Sequence, residues 1–535
     1  MLITKNYQEF QVLSESGTVV KTFSGSANHC LPGDSVTPTE EGVELLQRNQ
    51  SQPLVGTVHI QSKYLFGHTS RNVPIYLFFP YNTAYPPMRV GCSSNDGKNK
   101  IGLVKFESWE KGEKYPRGSL QQILGDAGDP EIEELALKYN YAPSWKKIAK
   151  FPEAAIHTNR FTRKPLKGFT FNIDPYGCKD IDDCLTIHRE NGIVRFSITI
   201  ADLFEIIHSG SDLDELAKRQ GSTLYSPSGE AIAPMLPKWI SEGKASLIPN
   251  EERRGLTLEM TWDGKELKDF KFFPTTLVND TSYTYESVYQ NKEICEVLTE
   301  IASHLQGSPC SDSHKWVEHC MILYNKKVAE LFLQKGVGLL RKLTSASTKR
   351  LEQKAAEYCL PAEDATHAAM DYKHYTHATS PIRRYADLLV QRYLYPLIWL
   401  PDEKLEQPTQ MTLRNMNEAM KQAARFERDL CFLRTVSRSS SGILEGLVVD
   451  WKQSEKGWKL WIEIPSWNLG QEISGKNSII SFHMPGIQQG DELVLRSPDE
   501  REEYRIKRDA SVKVKYYCDR SQPNWKKRMA FGLCS

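Results

Sequence analysis

Apolar spacing changes character several times along the chain. From Pro53 onward, apolar runs at Leu54–Ile60, Val73–Phe79 and Ile101–Phe106 alternate with turns rich in Gly, Pro and Asn. Such alternation predicts a small antiparallel barrel, and an OB-like fold fits it. The residues before it hold short β-like pieces and turn clusters such as Leu31-Pro32-Gly33-Asp34, a partial β module over residues 1–50. After Tyr115-Pro116-Arg117-Gly118, an acidic helical stretch from Asp129 to Tyr139 and a basic connector, Trp145–Lys150, read as a linker that closes a 51–150 unit. Residues 151–440 then mix strands and helices. Val194–Ile200 alternates as a strand, and Asp212–Arg219 is a helix closed by Gly221. Three longer helices follow: Lys315–Gln334, which stops at Gly336, Pro381–Tyr395 and Thr412–Val436. Past Ser437-Arg438-Ser439-Ser440-Ser441, a linker by composition, β patterning returns at Gly446–Asp450, Lys459–Ile464 and Glu492–Arg496, predicting a second small barrel over 441–535. The fold class expected is multidomain α+β, with a central mixed α/β domain flanked by small OB-like barrels. The longest apolar run, Leu388–Leu400, carries Arg392 and falls short of the ~20 residues a membrane span needs. It predicts a buried helix interrupted at Pro396, with no membrane contact.

Composition adds limits. At about 150 residues per domain, 535 residues suggest three or four domains, and 40% hydrophobic with 25% charged residues is ordinary for a globular protein. The formal net charge of +1 conceals an acidic cluster and a Lys/Arg-rich tail from Arg501 to Lys527, so it neither requires nor excludes nucleic acid. The 11 cysteines include no C-x-x-C pair, and no N-terminal segment joins basic residues to a long apolar stretch. A reduced, intracellular location, the cytoplasm, is expected.

Candidate chemistry concentrates in two places. In Ile173-Asp174-Pro175-Tyr176-Gly177-Cys178-Lys179-Asp180-Ile181-Asp182-Asp183-Cys184-Leu185, four carboxylates fall within ten residues. Two unit charges ~4 Å apart repel by about 4 kcal/mol at an effective dielectric near 20, so four converging carboxylates either splay into solvent or share cations. Their hard oxygens select Mg²⁺, with Mn²⁺ as an alternative. An isolated acidic run is usually a surface turn; here Phe169–Ile173 before it and Leu185–Ile187 after it read as strands that set the loop against a core. The spacing does not match an EF-hand, and Lys179 stands where the apolar strand before an aspartyl-phosphate nucleophile would end. The second place is Tyr375-Thr376-His377-Ala378-Thr379-Ser380-Pro381-Ile382-Arg383-Arg384-Tyr385-Ala386-Asp387-Leu388. Ser380 is positioned as an N-cap and Pro381 as the first helical residue, which puts Arg383 and Arg384 in the first turn. Cations are unfavourable there, so a compensating anion is expected: a phosphodiester, or a neighbouring carboxylate.

Together these stretches resemble the ribonuclease II/R (RNB-domain) family, whose motifs are I-D-P-x-x-x-x-D-x-D-D and H-F-T-S-P-I-R-R-Y-x-D-L. Ser222–Tyr225, Pro234–Pro237 and Ser246–Arg253 are similar to the family's intervening blocks, in the same order. The resemblance extends upstream through Trp109–Gly128 and downstream from Gly446, covering roughly residues 51 to 520, with an abbreviated N-terminal region. Departures are Cys178 and Cys184 at positions usually small, treated as packing residues, Ala378 in place of an aromatic, and Gln391 where histidine is common. The resemblance implies an RNB-type catalytic domain over 151–440, a cold-shock-type domain over 51–150 and a C-terminal OB-fold RNA-binding domain over 441–535. It implies processive 3′-to-5′ hydrolysis of single-stranded RNA to nucleoside 5′-monophosphates, assisted by Mg²⁺. Asp174, Asp180, Asp182 and Asp183 would be catalytic and metal-binding, Asp182 orienting a second metal or the attacking water. Arg383 and Arg384 would hold phosphates, and Tyr225 would pack on the terminal nucleotides. Trp451, Trp458 and Trp461 are candidates for base stacking, with core packing the commoner role for each. The competing reading is a catalytically inactive RNA-binding adaptor of the same fold; a phosphodiesterase acting on DNA or a small nucleotide is a third.

Overall fold

The strand Ile193–Ala201 buries almost every residue of its length and forms the middle of a seven-stranded mixed sheet. The sheet runs Lys164–Pro165, Leu267–Val278, Glu252–Trp262, Ile193–Ala201, Asp183–Glu190, Phe169–Ile173 and Thr281–Tyr283. A computed structural model describes residues 1–153, 161–343, 355–362, 364–368, 373–400, 405–436, 440–454, 457–467, 469–474, 486–490, 492–496, 503–519, 522–523 and 525–534. In chain order the helices are α1 Pro130–Tyr141, α2 Trp145–Ala149, α3 Asp212–Gln220, α4 Lys292–Gln306, α5 Ser313–Lys335, α6 Tyr385–Trp399 and α7 Gln410–Val436. Phe171, Phe196, Ile198 and Leu258 of the sheet share one core with Ile301, Trp316, Tyr324 and Tyr395 of α4, α5 and α6. A second core joins Cys184, Ala201 and Leu203 to Leu213 and Ala217 of α3 and Leu388 of α6. None of the described helices is long and apolar enough to cross a membrane.

Two of the helix ends foreseen at glycines are capped as the pattern implies. Gly336 closes α5 in the left-handed region (φ 66°), and Gly221 follows α3 at φ 72° with its N–H donating to Ala217. Gly221 also faces α7: a Cβ there would lie 2.3 Å from the Cβ of Ala419. Gly221→Ala therefore combines backbone strain with a clash in a packed interface and is expected to cost about 2–4 kcal/mol, read as a fall in the urea midpoint. An unchanged midpoint would show that α3 and α7 separate freely.

Five strands, Leu54–Val58, Ile75–Pro80, Met88–Gly91, Lys100–Ser108 and Arg117–Asp126, close into the expected small barrel, which is antiparallel except where Arg117–Gly118 pairs parallel with Arg89–Val90. The first fifty residues form a three-stranded sheet and a hairpin over a core of Leu2, Phe10, Val12, Cys30, Val36 and Val43. The fully buried Asp34 ties this unit together by accepting from the Leu31 and Asn49 amides, Arg48 and Gln50.

Other expectations need correction. Asp129–Lys150 is not a linker. Asp129 caps α1, Ala136 and Leu137 are fully buried, and Glu134 forms a two-pronged pair with Arg434 of α7, 2.9 and 3.1 Å. Pro396 does not interrupt α6, which continues to Trp399. Among the described residues the C-terminal region forms a five-stranded and a three-stranded sheet that share one core. Trp451 is buried in that core, Trp458 packs against it and Trp461 is half-buried, so packing accounts for the first two. The expected linker at 437–439 and parts of the basic tail lie outside the described residues.

Candidate active site

The acidic loop leaves the sheet at Ile173 and rejoins it at Asp183, so all four aspartates are anchored at one end of adjacent strands. Its return is fixed from below. Ser246, fully buried, accepts from the Ile181 amide (2.9 Å) and donates to the Lys179 carbonyl (2.7 Å), and the Ala201 amide donates to the Asp182 carbonyl (2.8 Å). Asn279 orients Asn172, whose amide donates to Asp174 at 2.8 Å.

Asp182 is 4% exposed, and its two oxygens accept from the Ile382 amide at 2.9 Å and from Arg383 Nε at 3.1 Å. The two sequence constellations, two hundred residues apart, thus meet at one carboxylate. Burial pushes the Asp182 carboxyl up to about 7, opposed by Arg383 and the Ile382 N–H. Burial likewise raises Asp183 well above the usual carboxylate range, with Asp174 and Asp182 adding to it. Asp174 is raised by burial, while Asn172 and Arg383 hold it down. Asp180 accepts from the Tyr225 hydroxyl at 2.8 Å, and Cys178 Sγ lies 3.7 Å from its other oxygen. Cys184 is fully buried.

The arginine segment departs from the expected helix start. Pro381–Arg384 is a turn; α6 begins at Tyr385, and the residue at its N-cap position is Arg384. Three side-chain and strand contacts outcompete helical bonding there. Asp387 accepts from the Ser380 amide (2.8 Å), Asp182 takes the Ile382 amide, and the Arg383 carbonyl accepts from Thr223 (2.9 Å) in a short bridge between Ser222 and Arg384. That bridge also delivers Tyr225, three residues after Ser222, to Asp180. Free amides of a helix terminus are therefore not the anion site. Arg383 is the arginine that reaches the aspartates, its side chain 48% exposed, whereas Arg384 turns to Asp387 at 2.8 Å.

Sequence reasoning missed Asn172, Ser246 and Asn279, which orient the aspartates, and Tyr285, whose hydroxyl is pushed up to about 12 by burial and by Asp174 and Asp183. Ser246 stood in a block already singled out; the others carry no local signal. Gln391 is nearly fully buried and links α6 to the end of the central strand, accepting from Leu203 N (3.0 Å) and donating to Ala201 O (2.7 Å). Because Ala201 holds the Asp182 backbone, Gln391→Ala strands two buried main-chain groups behind the site. At ~1–3 kcal/mol for each group left unpaired, thermal unfolding should show a clear loss of stability; an unchanged Tm would mean that water replaces the amide.

Among the described residues no three His, Cys, Asp or Glu side chains converge into a ready cation cage, because Asp174, Asp180 and Asp182 lean on internal donors. The donor set nevertheless fits a hard divalent ion. It consists of carboxylate oxygens without histidine, and Asp183, facing Asp174, accepts no hydrogen bond from the described residues.

The family described as RNB domain matches residues 163–296 and 339–399, and Dis3-like cold-shock domain 2 (CSD2) matches residues 75–142. The exosome complex exonuclease RRP44 of Homo sapiens is 26% identical over 429 residues, covering 60% of this chain and 44% of that protein. The chain spans about half the length of the curated relatives it matches. Among solved structures, Mycoplasma genitalium RNase R in complex with ribose methylated single-stranded RNA superposes with a TM-score of 0.73 at 17% identity, covering 100% of both chains. Yeast Ssd1, a pseudonuclease, superposes at 0.69 with 14% identity, covering 100% of this chain and 96% of the other.

Proposed function

From the premise that this chain belongs to the RNB-domain family, we propose that it hydrolyses single-stranded RNA from the 3′ end, processively, releasing nucleoside 5′-monophosphates with the help of Mg²⁺. The observation that carries this reading is the meeting of Asp182 with Arg383 beside Asp174 and Asp183. Carboxylates and a half-exposed guanidinium at one point form the two halves of a phosphodiester site. Asp174 and Asp183 would hold the cation, with Asp180 supporting them. A bound Mg²⁺ would supply an activated water and stabilisation of the leaving 3′ oxygen. Arg383 would transfer from Asp182 to a non-bridging phosphate oxygen, and Arg384, held by Asp387, would fix the turn that presents it. The Asp182 carboxylate, released from Arg383, would then orient the attacking water. Tyr225, already at Asp180, would bound the space for the terminal nucleotide. The described cysteines are all free thiols, in keeping with a reducing, cytoplasmic setting.

A binding-only protein is the second reading, favoured by the similarity to the Ssd1 pseudonuclease. Retention of all four aspartates speaks for catalysis. Incubating the protein with 5′-labelled single-stranded RNA separates the two. Mononucleotide release is expected with Mg²⁺, none after chelation with EDTA, and recovery on adding Mg²⁺ back. RNA bound but never shortened would establish the adaptor, and equal cleavage of DNA would remove the ribonuclease assignment.

A further inference from the structure

Helices α2 and α3 lie side by side, and between them opens a cleft of about 560 Å³. Lys146 and Lys147 of α2, Lys150 just past its end and Arg219 of α3 line it together with the apolar side chains of Phe151 and Leu216. Two carboxylates, Asp212 and Glu215, line it as well, the latter paired with Lys218 at 3.6 Å. Among the described residues none of the four cations is in an ion pair; Lys146 rests over the rings of Tyr139 and Trp145. Four cations on one recess with no ion pair among the described residues form a site for a polyanion. The apolar part of the lining suits an unpaired base better than a solvated duplex backbone.

Its place in the fold adds direction. α3 has nine residues, about 13 Å at ~1.5 Å per residue, and Gly221 at its end leads within four residues to Tyr225 at Asp180. The cleft therefore runs along the helix that delivers a side chain to the acidic site. On its other wall, α2 follows α1, which packs on the barrel.

We propose that this cleft is a second binding site for the single-stranded RNA substrate, gripping the backbone of nucleotides that have not yet reached the aspartates. The proposal rests on the ribonuclease reading above. Its test uses the whole chain in EDTA and measures anisotropy of a labelled 20-nucleotide RNA against NaCl concentration. The triple variant Lys146→Glu, Lys147→Glu, Lys150→Glu is expected to bind at least about tenfold more weakly. Its log–log salt slope should be shallower by about two, since each phosphate contact on a single strand contributes roughly 0.7. Arg219→Glu, on the opposite wall, should weaken binding in the same direction without touching α2. With Mg²⁺ present, the triple variant should raise KM for the 20-mer, leave kcat unchanged and leave a four-nucleotide RNA unaffected. Wild-type affinity and slope in both variants would overturn the cleft while RNA binding by the parent keeps the functional reading intact. Equal damage to the four-nucleotide substrate would also overturn it. A parent protein that binds no RNA would overturn both.

Discussion

Asp182→Asn is expected to yield a folded protein that binds single-stranded RNA within about threefold of wild type and releases mononucleotides about 10²–10⁴-fold more slowly, the range typical of a positioned catalytic group. The loss follows from the geometry. The two Asp182 oxygens accept from two different donors, the Ile382 amide and Arg383 Nε. An asparagine has one acceptor, so whichever way its amide is turned, an N–H group faces a donor. The charge that steadies Arg383 also disappears. Stability should change little, because burial already pushes the Asp182 carboxyl up to about 7, and a neutral isostere removes a charge that is costly to bury. Single-turnover release from 5′-labelled RNA, anisotropy and thermal unfolding measured together check the claim. Wild-type turnover would remove Asp182 from the mechanism, and loss of folding would make it a structural residue.

What was legible in the sequence had a local cause. Four carboxylates within ten residues cannot be placed without solvent, donors or cations, and that constraint shows without any partner in view. The ends of α3 and α5 were legible because Gly221 and Gly336 satisfy helix termini by themselves. What was not legible depended on residues far along the chain. The start of α6 is set by Asp182 and Thr223 drawing on the main chain of the Ile382–Arg383 turn, so the Ser380-Pro381 signal, a sound local helix start, loses to tertiary contacts. The stretch 129–150 is polar enough to read as a linker, and its packing is decided by Arg434 and Phe426 on a helix nearly three hundred residues later. Asn172 lies near the end of a strand and Asn279 just past one, places where an asparagine alone predicts nothing; their value is the hydrogen bond each passes on toward Asp174.

Removing Arg528 is expected to be among the most destabilising single changes in the chain, because it joins three units at a buried point. Arg528 is 5% exposed and pairs with Glu133 of α1, itself 2% exposed. Glu133 also accepts from the hydroxyl of Tyr81, just past a barrel strand, and from the Gly128 amide at 2.8 Å. Trp525 next to this pair packs against Tyr81 at 5.9 Å and Phe432 of α7 at 5.9 Å. In Arg528→Ala the Glu133 carboxylate stays buried with hydroxyl and amide donors but no cation, a situation that costs about 3–5 kcal/mol. The double variant Glu133→Gln, Arg528→Met removes the stranded charge and should recover most of that loss, so the penalty belongs to the unpaired carboxylate and not to lost packing. Urea unfolding of the three proteins distinguishes the cases; a single variant within 1 kcal/mol of wild type would show that water reaches Glu133. The junction also fixes how the barrel and the C-terminal sheets face each other. Loosening it should therefore weaken binding of a long RNA while hydrolysis of a four-nucleotide RNA, which depends on the aspartate loop and Arg383, proceeds at the wild-type rate.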